Sequence, residues 1–312
     1  MEPFRQLPFA RVPDAPRVAH RFFDTESRGV RVRSRALGDV KVHVRVHGSG
    51  PPLLLLHGFM TTSYSWRYVL PRLGARFTLY MPDLVGAGRS DKPSGPYTPD
   101  AIAEHLVALV DALGLRGAPA IGNSLGGYLL MRVALRDEGA MSRLVNLHSP
   151  GVATARMQAL RVATRALPGW ERVVSAFVRR DPERWVHRNV HYWDERLKSR
   201  EEHREYAAPL RDPAGLSAFL RMLVETLDAR EMERFADDLR ARTAFPIPLQ
   251  LVYARRDPMV PPIVGERLHA LVPDARFTWL EDASHFAHVD ATDRFLDAVM
   301  PFLEEPPIRA RA

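Results

Sequence analysis

Hydrophobic and polar positions first fall into a regular pattern at Val40. Val40, Val42, Val44 and Val46 alternate with Lys41, His43, Arg45 and His47, the period of a strand with one buried and one exposed face. Leu53 to Leu56 is an unbroken apolar run between Pro52 and His57-Gly58, which predicts a strand covered on both sides. A helix is predicted through Trp66, Val69, Leu70 and Leu73, stopping at Gly74, and then a strand from Phe77 to Met81. After a turn-rich loop from Pro82 to Pro99, Ile102, Leu106, Leu109, Val110 and Leu113 share one helical face, closed by Gly114. The strand around Ala118 to Gly122 runs straight into Ser124 and another helix. Strands alternating with helices imply a mainly parallel sheet with right-handed crossovers.

The alternation breaks after a strand at Leu144 to Leu147. Residues 152 to about 245 offer no convincing strand but several helical stretches: 152–167, 171–178, 182–191 and two more between Pro213 and Arg242. The strand–helix rhythm resumes at Pro248, with Leu249–Tyr253, Ile263–Leu271, Arg276–Leu280 and Thr292–Leu303. The economical division is an N-terminal arm over 1–27, an α/β core over 28–151 and 246–304, a helical cap over 152–245 and a tail over 305–312.

Composition narrows the class. With 312 residues and 46% hydrophobic positions the chain can bury a large core. It is neither a disordered nor a collagen-like sequence. The absence of cysteine removes disulfides, thiolate nucleophiles and Cys-rich zinc sites. No apolar stretch is long enough to span a bilayer, and Met1 to Ala19, rich in Pro and Arg, lacks the apolar centre of a secretory signal. A soluble, cytoplasmic protein is expected. The net charge is +7, and only three of the 44 basic residues are lysine, leaving 41 arginines. They look scattered: Arg179-Arg180 and Arg255-Arg256 are isolated pairs, and Arg200-Glu201-Glu202-His203-Arg204-Glu205 reads as a solvated, salt-bridged face. The charge is therefore read as a solubility feature, with neither nucleic acid nor a membrane surface as partner.

The chemistry concentrates at Gly122-Asn123-Ser124-Leu125-Gly126, a G-x-S-x-G sequence set between a predicted strand and a predicted helix. Such a turn lifts a serine hydroxyl off the sheet, and crowding requires small residues two places to either side. Serine needs a base, and the base needs an orienting carboxylate. Asp257 and His285 each follow a predicted strand, in the loops where parallel sheets gather site residues. The order Ser, Asp, His fits this architecture. Backbone N–H groups of Phe59, after the Leu53–Leu56 strand, and of Leu125 are the candidate oxyanion donors. His57 is expected to be structural, and His288 to lie hydrogen-bonded beneath His285. Arg255 and Arg256 are candidates for keeping Asp257 ionised. No phosphate loop or dinucleotide fingerprint is present, and His187 and His191 lack the glutamate and third ligand of a zinc site. No metal and no cofactor is expected.

Together these landmarks resemble the α/β-hydrolase fold family over nearly all of residues 28–304. The matching stretches are His57-Gly58-Phe59, Asp83-Leu84-Val85-Gly86-Ala87-Gly88-Arg89-Ser90-Asp91-Lys92-Pro93, the Ser124 turn, Asp257-Pro258-Met259-Val260-Pro261 and His285. The resemblance implies an eight-stranded, mostly parallel sheet with helices on both faces and an all-helical cap after the sixth strand. It also implies acylation of Ser124 and release of the acyl group by water that His285 activates. Ser124 departs from the aspartate nucleophile of haloalkane dehalogenases and epoxide hydrolases, and Met60 stands where the latter usually carry proline. Asn123 resembles the meta-cleavage-product hydrolases, but Phe286 follows the histidine where those enzymes typically have tryptophan. The stretch Asn146-Leu147-His148-Ser149-Pro150 lacks the carboxylate that some members place there, and His148 and Ser149 are expected to be packed polar residues. Cap aromatics offer a substrate pocket, for which Trp185, Trp193 and Phe286 are the candidates. A small-molecule substrate is expected, most simply an apolar ester or lactone. Carbon–carbon bond hydrolysis and perhydrolase chemistry are the alternatives. Oligomeric state is not legible.

Overall fold

The computed structural model describes residues 2–306, so Met1 of the predicted arm and 307–312 of the predicted tail lie outside the described residues. The strands are β1 (Glu26–Ser34), β2 (Gly38–His47), β3 (Pro52–Leu56), β4 (Thr78–Pro82), β5 (Ala118–Asn123), β6 (Met141–Leu147), β7 (Leu249–Ala254) and β8 (Arg276–Leu280). They form one eight-stranded sheet among the described residues, in the order β1-β2-β4-β3-β5-β6-β7-β8. β2 pairs antiparallel with β1 and β4, and every other pairing is parallel. β3 lies near the centre with all four leucines buried. Leu54 and Leu56 enter the core on one face of the sheet, Leu53 and Leu55 that on the other. That double coverage is why the strand reads as a continuous apolar run.

β2 departs from its predicted half-exposed pattern, because His43 and Arg45 are buried with the valines. The His43 ring bonds Asp83 at 3.0 Å and the Ser27 hydroxyl at 2.9 Å. Arg45 donates to the Thr25 carbonyl at 3.1 Å beneath the Phe22 ring. The segment preceding β1 thus covers the polar side of β2. β1 was not legible from the pattern, since Val30 and Val32 are its only large apolar residues.

The helices of the first half are α1 (Leu70–Gly74), α2 (Pro99–Ala112) and α3 (Leu125–Arg136). α2 begins as predicted, with Pro99 in its first turn and the Thr98 hydroxyl accepting from Ala101 N–H at 3.3 Å. The helix expected from Trp66 shortens to α1. A 3-10 turn at Ser63–Trp66 precedes it, and Pro71 has no N–H with which to extend a helix backwards.

Between β6 and β7 the described residues form α4 (Ala155–Ala166), α5 (Trp170–Arg180), α6 (Pro182–Asn189), α7 (Arg200–Arg211), α8 (Pro213–Arg221), a π-helical turn (Met222–Thr226) and α9 (Ala229–Arg240). Side chains of Thr154, Asp181, Ser199, Asp212 and Asp228 cap five of these helices. After β7 come α10 (Pro262–Leu271), α11 (Ala287–Asp290) and α12 (Thr292–Leu303). No described helix is long and apolar enough to cross a membrane.

α7 corrects the reading of Arg200–Glu205 as a solvated face. Glu202, His203, Tyr206, Ala207 and Leu210 form its buried side, so helical periodicity turns part of the charge run inward. Glu202 is fully buried and accepts hydrogen bonds from the Arg67 guanidinium and, at 2.7 Å, from the Tyr192 hydroxyl. Arg67, equally buried, lies 4.6 Å from the Tyr64 ring centre and 4.4 Å from that of Tyr68. Burial pushes the Glu202 carboxyl up, and the Arg67 charge opposes it. The arm strengthens the same junction: Arg200 and Glu201 N–H donate to the carbonyls of Pro13 and Asp14, and Glu201 accepts from Tyr64 and His20.

Because removing one partner strands a buried charge, Glu202→Leu should cost about 3–5 kcal/mol in denaturant unfolding. Arg67→Met in the same chain should recover at least half of that loss. A single-variant loss below about 1 kcal/mol would show that other contacts hold the helical insertion to the sheet.

Candidate active site

Ser124 occupies the junction of β5 and α3 with φ 52° and ψ −120°, a backbone conformation that non-glycine residues adopt only under constraint. Its N–H donates to Leu147 at the end of β6 at 2.7 Å. Packing leaves no slack: a Cβ on Gly126 would stand 2.5 Å from the His57 carbonyl, and one on Gly122 2.5 Å from Gly127 N. The crowding inferred from G-x-S-x-G is thus present as backbone contact. Between Ala120 and Ala134 every residue is buried except Ser124, which is half-buried. The turn therefore presents one hydroxyl-bearing residue on an otherwise sealed surface.

Asp257 follows β7, and His285 lies in the loop after β8. The structure brings them together: His285 Nδ1 donates to Asp257 Oδ2 at 2.6 Å, with both side chains nearly inaccessible. Asp257 Oδ1 accepts from Met259 N–H at 2.7 Å and Val260 N–H at 2.9 Å. Burial alone would raise this carboxyl. The His285 charge and hydrogen bond, His148 and the Val260 N–H outweigh burial and hold it below the ordinary range. An ionised Asp257 fixes the His285 proton on Nδ1 and leaves the Nε2 lone pair free to accept one. Asn123 Nδ2 donates to the His285 carbonyl at 3.1 Å, tying this loop to the residue before Ser124.

Several expected roles change. Arg255 pairs with Glu281 at 2.7 Å and lies over the Trp279 ring, and Arg256 lies over Trp193. The protons and charges acting on Asp257 come from His285, His148 and backbone N–H groups instead. His288 is fully buried, its ring tilted against that of Trp66 with centres 4.4 Å apart, and neither ring nitrogen has a hydrogen-bond partner among the described residues. It is packed rather than hydrogen-bonded beneath His285. His57 donates from Nδ1 to the Gly58 carbonyl at 2.8 Å and accepts at Nε2 from Leu84 N–H at 2.9 Å. Both nitrogens are thereby committed to the loop.

His148 is buried, as expected, but sequence reasoning missed its position. Its ring centre is 5.6 Å from that of His285, and its pKa is pushed down to about 3 by burial and by the His285 charge. His148, Asp257 and His285 bring possible ligand atoms within 4.8 Å of one another. The donors do not suit a cation: His148 Nε2 accepts from Ala254 N–H at 2.7 Å, and His285 Nδ1 carries the proton shared with Asp257. The signal available in the sequence was position alone, since residue 148 immediately follows β6.

Phe59 N–H makes no hydrogen bond among the described residues, and Leu125 opens α3, where backbone N–H groups lack intrahelical partners. Both residues line a narrow cleft of about 30 Å³ whose other walls include Met60, Leu84, Ala87, Tyr206, Leu210, Phe219 and Met222. Phe219 of α8 stacks on Phe59 with ring centres 4.6 Å apart and planes 9° from parallel. Trp185, Trp193 and Phe286 are not among the lining residues. Trp185 packs on Phe177, Trp193 on Phe4, and Phe286 is buried between His285 and Tyr192. Composition could not tell which aromatic residues between 152 and 245 face the cleft.

Backbone strain gathers at the same edge. Of five non-glycine residues with positive φ among those described, Met60, Ser124, His148 and Asp282 lie in the loops after β3, β5, β6 and β8. Met60, at φ 65°, occupies a conformation closed to proline.

Residues 51–292 match the family model of the alpha/beta hydrolase fold. Haloalkane dehalogenase 2 of Mycobacterium bovis is 30% identical over 271 residues, covering 83% of this chain and 90% of the dehalogenase. The 2-hydroxymuconate semialdehyde hydrolase of a Pseudomonas species is 26% identical over 274 residues, covering 85% of this chain and 91% of that enzyme. Among solved structures, an esterase from Thermogutta terrifontis is similar in fold, with a TM-score of 0.67 and 22% identity over 88% of this chain and 98% of the esterase.

Gly126→Ala should cost about 2–3 kcal/mol, because the new methyl group meets the end of β3 rather than a movable side chain. Gly139→Ala, whose Cβ would lie 3.4 Å from the nearest atom, should stay within about 0.5 kcal/mol of the parent. Thermal unfolding of the two variants reads the difference.

Proposed function

The chain belongs to the α/β-hydrolase fold family, and from that premise we propose that it hydrolyses small apolar carboxylic esters or lactones through an acyl-enzyme on Ser124. The observation that carries this reading is the buried Asp257–His285 hydrogen bond of 2.6 Å, tied through Asn123 to the turn that holds Ser124. His285 Nε2 removes the Ser124 proton as Oγ attacks the ester carbonyl carbon. Negative charge gathers on the carbonyl oxygen, where Phe59 and Leu125 N–H receive it. Collapse expels the alkoxide, which takes the proton from His285. Water, deprotonated by His285, then attacks the acyl carbon and releases a carboxylic acid and free Ser124. In this reading α4–α9 form a cap over residues 152–245 that excludes water from the cleft.

The cleft supports an apolar substrate. Its lining contains no Asp, Glu, Lys or Arg, and its polar members are His57, Thr61 and Tyr206. A dienoate of the kind cut by carbon–carbon bond hydrolases brings a carboxylate, for which these walls provide no cationic partner. Ser124 also differs from the aspartate nucleophile that dehalogenation requires. Haloalkane dehalogenases therefore match this chain in scaffold but not in nucleophile.

Ser124→Ala should lower p-nitrophenyl ester turnover by about 10⁴-fold or more with unfolding temperature unchanged, and a fluorophosphonate should label the parent at Ser124. Turnover retained in this variant would remove Ser124 from the mechanism. Phe219→Ala, which opens the cleft beside Phe59, should shift the preferred acyl chain upwards by several carbons when esters of graded length are compared. Faster turnover of a dienoate than of any ester would instead assign carbon–carbon bond cleavage.

A further inference from the structure

The excess positive charge is local. Residues 155–180, which make up α4, α5 and their link, contain six arginines and one acidic residue, Glu171, for a net charge of +5 out of the chain's +7. Arg161 pairs with Asp228 at 3.4 Å. The side chains of Arg156, Arg165, Arg172, Arg179 and Arg180 make no ion pair or hydrogen bond among the described residues, whereas arginines elsewhere in the fold commonly pair with Asp or Glu.

The same two helices expose apolar surface. Val162, Leu167, Val173 and Phe177 are 67%, 60%, 72% and 54% accessible, four of the seven large exposed hydrophobic residues among those described. α4 has no buried residue. At 100° per residue, Ala155, Ala159, Val162, Ala163 and Ala166 share its solvent side, with Arg156 and Arg165 at the two margins. On α5, Val173 and Phe177 lie one turn apart with Arg180 beside them, while Trp170, Val174 and Val178 face inward. The Leu167-Pro168-Gly169 link between the helices is exposed along its whole length. The inward sides of both helices are satisfied by the fold, and the outward sides have an aliphatic centre with a cationic margin.

We propose that the α4–α5 hairpin docks this protein peripherally on an anionic phospholipid surface, with Val162, Leu167, Val173 and Phe177 entering the interface and the unpaired arginines meeting phosphate groups. A bilayer interface offers both chemistries in that arrangement, an acyl layer beneath a plane of negative charge. A second copy of the chain fits poorly, because a two-fold contact across this face would oppose two clusters of +5. A nucleic acid would match the arginines but not the aliphatic centre, which carries no ring on which to stack a base except Phe177. The inference is independent of the hydrolytic reading, since no residue of the hairpin lines the cleft beside Phe59 and Leu125.

The test is co-sedimentation of the full chain with vesicles of phosphatidylcholine alone or mixed with phosphatidylglycerol, at low and at high ionic strength. Mixed vesicles should bind the protein about tenfold or more tightly than neutral ones at low salt. Val173→Asp with Phe177→Asp should weaken that binding about tenfold, and so should Arg165→Gln with Arg172→Gln and Arg180→Gln. All five positions are exposed and only Phe177, through its edge contact with Trp185, packs on another ring, so unfolding temperature should change little and turnover of a water-soluble ester should not change. Three outcomes would overturn the proposal: no preference for the mixed vesicles, binding that survives the apolar variant and is lost only with the arginines, or a dimer in sedimentation velocity that the apolar variant converts to monomer.

Discussion

The turn at Ser124 is the constraint from which the rest of the site follows. A serine held at φ 52° persists only where surrounding backbone leaves it no alternative. Here the alternatives are removed by main chain on three sides: the carbonyls at the end of β3 against Gly126, Gly127 against Gly122, and the Leu147 carbonyl of β6 receiving the Ser124 N–H. Once those strand ends are fixed, the loops that leave them have little freedom. Positive φ at Met60, His148 and Asp282 belongs to neighbouring loops at the same edge. Asn123 extends the constraint to the His285 loop through a single side-chain hydrogen bond.

The helical insertion is held to this edge by a different kind of interaction. Its apolar contact with the sheet is supplemented by charge buried at the junction, with Arg67 of the core facing Glu202 of α7 beside Tyr192 and Tyr206. A buried pair is a weak source of net stability but a strong source of geometry, because any displacement leaves a charge uncompensated. α7 also contributes Tyr206 and Leu210 to the cleft wall, so fixing its position fixes that wall. The π-helical turn after α8 acts similarly: Glu225 accepts from Tyr97 N–H at 2.7 Å and Thr226 donates to the Tyr97 carbonyl at 2.5 Å. Phe219 and Met222 lie just before those anchors and line the cleft.

What was legible in the sequence follows from which signals are local. β3, α2 and the β5–Ser124–α3 turn could be read because burial on both faces, a capped apolar stripe and paired glycines are written within a dozen residues. Asp257 and His285 could be placed because they follow strands. The Arg200–Glu205 run could not be read correctly, since a charge turned towards water and one turned towards Arg67 look alike until helical phase and a partner 135 residues away are known. The same holds for the tryptophans: Trp185 and Trp193 lie in the segment between β6 and β7, yet Phe219, a smaller ring on α8, reaches the cleft. His148 sits beside the Asp257–His285 pair through tertiary closeness of β6, β7 and β8, for which no local pattern exists.

The arginine excess shows the same limit at the level of the whole chain. Counted over 312 residues it reads as a uniform bias, because 41 arginines occur in every segment. Pairing separates them into two populations. Arginines of the core and of α6–α9 commonly meet Asp or Glu and contribute little net field beyond a Debye length. Those of α4 and α5, Arg161 excepted, have no ion-pair partner among the described residues and flank exposed aliphatic side chains, so their charges add over one face. Charge that accumulates beside exposed apolar surface is costly in water for a hairpin that needs neither to fold. An anionic interface supplies a counterpart for both at once.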